Sequence, residues 1–453
     1  MPAEAIRRRL PSVVAASVVL ALYFFFTARS AGRYFDNDDM MNLYFAWSRP
    51  LAQVYRPVGA LFYRGMFAMA GFHPVPFRLA CLAIGAVNLG LCWRFAALVS
   101  GSGRVAALAC LLFAFQSRLV EVWFRTAVVY DLLCFTFFYA AVCLYIAARK
   151  KGGMPGARAS LAILLCFVCA LGSKEVAVAF PAVLAAYEIC FERFEWAAVW
   201  RIAIPAVIDI PYLYFKTHGP GALANIPDYQ SEFSFTRFSE TWALYLKYLF
   251  ILNIDVRPWA AISVLGAMLA VAAALRWRQL LFAWIVLFAG TLPVGFLAYR
   301  GGYVLYVAYA GWVLYAAVLL TGMEAGLTRK VPQYRAALFW VVFVAVGWWW
   351  GKRNLHDQRH DPRTWLWESP AQVRALADQM RVLAPRLPHG ARVLFLGDAF
   401  GAGEWTPYFE MKLLYRDDSM TVDRLALLPG SAVDRRAYAW VFGYADGRYW
   451  LVP

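Results

Sequence analysis

Apolar runs of about 18–22 residues recur along this chain, and that is the length a helix needs to cross the hydrocarbon core of a bilayer. The first, PSVVAASVVLALYFFFTA at 11–28, follows Arg7, Arg8 and Arg9. It exceeds the roughly 7–15 apolar residues of a signal-peptide core, so it is expected to remain as a span. Further spans are expected at 77–99, 105–116, 128–148, 160–172, 176–190, 198–216, 259–275, 279–298, 303–320 and 336–350. Charged residues are 16% of the 453, against about 25% in soluble domains. These features exclude a soluble enzyme, a disordered chain and a transmembrane β-barrel, whose strands alternate in polarity. The expected fold class is an all-α polytopic membrane protein of about eleven transmembrane helices, with a small C-terminal α/β domain.

The net charge of +16 comes from basic residues scattered through short loops, which speaks for membrane orientation and against a nucleic-acid partner. With the N-terminus inside, the inner segments (1–10, 100–104, 149–160, 191–201, 276–278, 321–335) hold 15 Lys/Arg in 56 residues. The outer ones (29–76, 116–127, 173–175, 217–258, 299–302) hold 12 in 109, so the positive-inside rule fits this topology. An odd number of crossings places 351–453 outside. The eight cysteines all fall in or at the ends of apolar segments, which implies packing and no disulfide framework.

Two outer segments are long. Residues 29–76 contain an amphipathic stretch that suggests helices at the membrane surface, and 217–258 ends in SETWALYLKYLFILN, a second interfacial or re-entrant helix. The chain therefore reads as a transmembrane domain over 1–350 and an extracytoplasmic α/β domain over 351–453. In the latter, QVRALADQMRVLAPRL has helical spacing, while ARVLFLGDAF and AYAWVFGYADGRYWLVP read as strands. HDQRHD, with His356 and His360, reads as a solvated linker without a third metal ligand. No internal repeat, GxGxxG or P-loop is present in the sequence.

Carboxylates are costly near lipid, so their positions are informative. Asp36, Asp38 and Asp39 lie just beyond the first span, where close acids suit a general base with a helper, a divalent-cation site or a plain hydrophilic turn. Glu121 falls in the outer loop before the fourth span and Asp131 at its start, with Arg118 and Arg125 as candidate neutralising partners. Ser173-Lys174-Glu175 forms a charged outer turn, and Asp209 lies mid-span between Pro205 and Pro211. Arg300, with Tyr303 and Tyr306 following, suits bidentate phosphate binding at headgroup depth or ordinary snorkelling.

This ordered set, with Tyr55-Arg56-Pro57 and Pro181, resembles the type C superfamily of membrane glycosyltransferases. The similarity is to protein O-mannosyltransferases and bacterial enzymes that use polyprenyl-phosphate sugars, and it covers roughly residues 10–325. It differs in having Asp-Asp where the usual first pair is Asp-Glu. The resemblance implies an inverting transfer from a polyprenyl-phosphate sugar to a hydroxyl on a protein or glycolipid acceptor, outside the cytoplasm. It implies Asp38 as general base with Asp39 orienting, and Arg300 and Lys174 on the lipid phosphate. Asp131, Glu121, Glu175, Tyr303 and Arg56 are expected in substrate binding, with Asp36 competing for the acidic role. No cofactor is expected, although a divalent cation at Asp36, Asp38 and Asp39 remains open.

Two rival classes stand beside this reading: a transporter or flippase, which predicts repeated halves, and a non-catalytic assembly factor for surface polysaccharide, indifferent to Asp38. Ala/Arg/Gly-rich usage suggests a bacterial inner membrane, with a cytoplasmic N-terminus and a periplasmic C-terminal domain.

Overall fold

The computed structural model describes residues 3–193, 195–219, 222, 225, 226, 229–297, 300–360, 363, 365–428 and 434–453. The chain forms two compact units, each assembled from separated stretches. One comprises 1–28, 82–123 and 130–360, and the other 29–81, 124–129 and 361–453.

Helices dominate. In chain order they are α1 (Ala3–Thr27), α2 (Asn37–Ser48), α3 (Pro57–Ala70), α4 (Pro74–Ser100), α5 (Gly103–Phe113), the single turn α6 (Glu121–Phe124) and α7 (Val129–Arg149). There follow α8 (Ala157–Leu171), α9 (Phe180–Phe191), α10 (Trp196–Thr217), α11 (Phe235–Leu249), α12 (Pro258–Ala274), α13 (Arg278–Thr291), α14 (Tyr306–Leu327) and α15 (Arg335–Arg359). The tail adds α16 (Trp365–Leu383) and α17 (Thr406–Tyr415). Local chemistry sets several starts. Ser102 caps α5 by accepting from the Val105 N–H, and prolines open α3 and α12, where no intrahelical donor is lost.

Each of the eleven expected apolar segments contains a helix, 176–190 beginning as the 3-10 turn Glu175–Ala179. The helix of 105–116 stops at Phe113 and that of 279–298 gives way to a 3-10 turn ending at Val294, residue 298 lying outside the described residues. Among the described residues five helices are long and apolar enough to cross a membrane: Pro11–Gly32, Pro74–Ser100, Thr126–Arg149, Trp196–Thr217 and Gly302–Leu327. Apolar helices at Gly103–Phe113, Ala157–Leu171, Pro258–Ala274 and Arg278–Val294 are shorter. The protein is an integral membrane protein. The expected linker at His356–His360 is corrected: α15 continues to Arg359. It does so because its inner face stays anchored, with buried Asn354 accepting from the Ser117 N–H at 2.6 Å and Asp357 paired to Arg118 at 2.6 Å.

The first unit is packed around α14, which lies along α13 and α5. Gly311 permits this, since a Cβ there would stand 2.5 Å from the Leu287 nitrogen. Tyr309 donates to the Leu112 carbonyl at 3.0 Å, so its buried hydroxyl is satisfied, and its ring stacks on Trp312.

In the second unit, α2 packs on α3 and α17. The tail carries a four-stranded sheet of β1 (Arg392–Phe395), β2 (Thr421–Arg424), β3 (Trp440–Ala445) and β4 (Arg448–Leu451), in the order β2-β1-β3-β4. β1 pairs in parallel with β2 and β3, and β3 and β4 form an antiparallel hairpin in which Tyr444 faces Tyr449. Val393, Leu394 and Phe395 are fully buried, as expected of a central parallel strand. The expected helix, strand and terminal strands are present, with α17 and β2 in addition.

Candidate active site

Asp36, Asp38 and Asp39 are adjacent in sequence and occupy three different environments. Asp36 is the N-cap of α2: its side chain accepts from the Asp39 N–H, and the Asp39 side chain accepts from the Asp36 N–H, a reciprocal capping box. Both carboxylates are buried, whereas the Asp38 side chain, one turn position away, is 53% exposed. Helix geometry thus turns two acids inward and one outward.

The inward pair is held by arginines. Arg78 on α4 donates to Asp39 at 3.0 Å, with both side chains fully buried, and the Ala127 N–H donates to the other Asp39 oxygen at 2.5 Å. Arg125 donates through Nε to Asp36 at 2.6 Å and through Nη2 to Asp38 at 2.5 Å. Burial works against the charged form of Asp36, but the Arg125 guanidinium, the Asp39 N–H and Arg78 together outweigh it and hold that carboxyl below its usual range. For Asp39, burial and the adjacent Asp36 charge push the carboxyl up, against the pull of Arg78. The carboxylate oxygens are thus directed at guanidinium and N–H donors. Among the described residues no group of three or more His, Cys, Asp or Glu side chains is arranged to hold a metal ion.

Arg125 does not neutralise Glu121 or Asp131, as the sequence neighbourhood suggested. It turns to Asp36 and Asp38, and Arg118 turns to Asp357. The partner of Asp131 is Lys174, whose Nζ lies 2.8 Å from Oδ2 and 4.9 Å from the centre of the Tyr303 ring. Glu175 pairs with Lys216 at 3.3 Å. Glu121 opens α6 and approaches the 301–302 turn so closely that a Cβ on Gly301 would meet its Oε1 at 2.5 Å. Arg300 lies over the Tyr229 ring at 3.9 Å. The first unit therefore gathers Asp131, Lys174 and Tyr303 into one polar cluster of a cation, a carboxylate and an aromatic ring. Arg56 stands in the second unit as the N-cap of α3, without a side-chain capping bond. Asp209 is buried on α10.

Sequence reasoning missed Arg78 as a partner of the acids. Its signal was present: a lone cation inside the apolar run PVPFRLACLAIG. It also missed the contribution of the tail. The Asn37 amide donates to Glu404 at 2.5 Å and accepts from the Ser369 hydroxyl at 3.0 Å. Tyr44 on α2 donates to Asp418 at 2.6 Å and meets the Tyr408 hydroxyl at 3.2 Å. These contacts border a cleft of about 740 Å³ that opens beside Asp38.

The architecture, a bundle of apolar helices with a small α/β tail, is that of a solved structure, as expected for an all-α polytopic membrane protein with a C-terminal α/β domain. The particular likeness is to the crystal structure of ArnT from Cupriavidus metallidurans bound to undecaprenyl phosphate. The TM-score is 0.55 at 16% identity, over 91% of this chain and 86% of that one. At that identity the likeness is one of fold. No protein-family model matches the sequence, and no curated protein does.

Proposed function

We propose that this chain is an inverting glycosyltransferase. It moves a sugar from a polyprenyl-phosphate donor to a hydroxyl acceptor on the extracytoplasmic side of the membrane, with its N-terminus in the cytoplasm. The observation that carries the reading is the outward-facing Asp38 carboxylate, fixed by Arg125 on a helix in a chain with the ArnT fold.

In the reaction, the acceptor oxygen attacks the anomeric carbon from the face opposite the phosphate. The bond from that carbon to the phosphate oxygen breaks, and polyprenyl phosphate leaves with the electron pair. A hydroxyl is a weak nucleophile, so a base must take its proton as the new bond forms, and Asp38 serves that role. Arg125, anchored on Asp36, keeps the carboxylate aimed, and the Asp39–Arg78 pair fixes the start of α2. The leaving phosphate gathers negative charge, which calls for preorganised cations; Lys174 and Arg300 supply them. Asp131 orients the Lys174 ammonium, and Tyr303, Glu121, Glu175 and Arg56 belong to the binding of donor and acceptor. Asp36 and Asp38 are engaged by Arg125 and Asp39 by Arg78, which supports a transfer that needs no divalent cation.

The test is sugar transfer by the purified full chain from a panel of radiolabelled polyprenyl-phosphate sugars into membrane extract, with and without EDTA. Transfer that survives EDTA and is lost in Asp38→Asn supports the assignment. Wild type that binds donor but transfers no sugar, or Asp38→Asn that transfers normally, refutes it.

A further inference from the structure

We infer that the cleft beside Asp38 is a saccharide site, and that it takes a ring without phosphate, neutral or amine-bearing, laid against Trp405. Its description as the acceptor site rests on the glycosyltransferase reading above; its capacity to bind a sugar does not.

The lining has the two surfaces that a pyranose needs. One is aromatic: Trp405 is 52% exposed at the mouth, and its ring meets Tyr408 edge-on at 5.8 Å, next to Tyr44. An exposed aromatic face covers the apolar C–H face of a sugar. The other is polar and acceptor-rich: Asp38, Glu404 and Asp418 border the same space and suit hydroxyl or ammonium donors. Arg49 is the one cation among the described lining residues, and its guanidinium is spent on the Phe45 ring at 3.8 Å. Arg125 is paired with Asp38 and Lys412 lies 3.4 Å from Asp418, so every cation at the cleft is already engaged. Glu404 is left without a cationic partner among the described residues, and a phosphate would enter without a free cation to receive it.

The cleft is built rather than incidental. Glu404 and Trp405 end the loop that follows β1, the strand at which the chain first crosses to β2 on one side and later to β3 on the other. Ligand sites in open parallel sheets form at the carboxyl end of such a switch strand. Buried Arg424 holds the loop in place. It takes Asp398 bidentately at 2.6 and 2.7 Å and donates to the carbonyls of Phe400 and Gly401 at 3.1 Å, and also to that of Glu404. The Asn37–Glu404 bond ties the loop to the residue next to Asp38. A sugar hydroxyl in this cleft is therefore presented to the one exposed carboxylate of the acidic cluster.

The experiment is saturation-transfer NMR on the full chain in lipid nanodiscs, titrated with methyl β-glucoside, methyl β-glucosaminide and methyl β-glucoside 6-phosphate. The first two should receive saturation and the phosphorylated glycoside little. Trp405→Ala should weaken binding about tenfold, the scale of one aromatic contact. Trp405→Phe should restore most of it, and Glu404→Gln should reduce the preference for the glucosaminide. Equal transfer in wild type and Trp405→Ala, or a preference for the phosphorylated glycoside, overturns the inference. Donor turnover is measured on the same wild-type sample. Glycoside binding without any donor turnover would leave the sugar site standing and remove only its name as acceptor site.

Discussion

The Arg125 guanidinium lies 2.5 Å from the Asp38 carboxylate, across 87 residues of sequence, and fixes the one exposed acid of the first loop. Its other edge is bonded to buried Asp36, so the exposed carboxylate inherits its position from a buried one. The arrangement leaves one carboxylate exposed and buries the residues that aim it.

Asp38→Asn keeps the shape of the side chain and removes its basicity. Transfer should fall by about 10²–10⁴, the usual contribution of a general base. Thermal unfolding should shift little, because substitutions at exposed positions usually stay within about 0.5 kcal/mol. Paired kinetic and melting measurements check both halves.

Arg125→Lys keeps the charge and loses the planar fork that grips two carboxylates at once. The expected result is a lower kcat with acceptor KM nearly unchanged, since Arg125 acts through Asp38. A loss confined to KM would place Arg125 on the substrate instead.

Asp39 and Arg78 form a buried ion pair, and breaking one side leaves a charge without its partner. Asp39→Asn and Arg78→Met should each destabilise the protein by about 3–5 kcal/mol. The double variant Asp39→Leu/Arg78→Met should be less harmful than the sum of the two losses. Melting curves of the singles and the double in one detergent measure the coupling.

Glu410 on α17 is fully buried, and neither side-chain oxygen has a hydrogen-bond partner among the described residues. Burial pushes this carboxyl well above the usual glutamate range. The folded state then keeps a proton that the unfolded state releases, so stability falls as pH rises past the unfolded value of about 4.3. Glu410→Gln should flatten that slope and raise the melting temperature more at pH 8 than at pH 5. A pH series of melting curves with equal gains at both values would refute this.

Lys174→Met removes the cation proposed for the donor phosphate and leaves Asp131 without its 2.8 Å partner. Affinity for polyprenyl phosphate should drop by about tenfold or more, in line with a lost charge-assisted bond. Direct binding of the lipid phosphate, measured without acceptor, is the appropriate readout.

Much of the fold was legible because bilayer-length apolar runs constrain a chain strongly. Strand β1 and the terminal hairpin were legible from their β-branched and aromatic residues. Helix α17 was not, because TPYFEMKLLY buries Glu410 and Lys412 along with its apolar residues and so shows no clean polar face. The three acids looked interchangeable in sequence. Yet the Asp36-x-x-Asp39 spacing is that of a capping box, and reading it so singles out Asp38 as the outward residue. The Arg125 pairing was illegible for a different reason: the nearest acids in sequence, Glu121 and Asp131, are the wrong ones, and nothing local indicates residues 36 and 38.

The second unit takes in residues 29–81, 124–129 and 361–453, so the chain passes between the units five times, at 28/29, 81/82, 123/124, 129/130 and 360/361. No single cut releases it. A fragment starting at residue 351 would lack α2 and Arg125, stripping the covering from Phe409 and abolishing the cleft at Tyr44. Exchanging this unit between proteins of this build therefore requires moving three separate stretches together, and grafting the tail by itself transplants a wall without its floor.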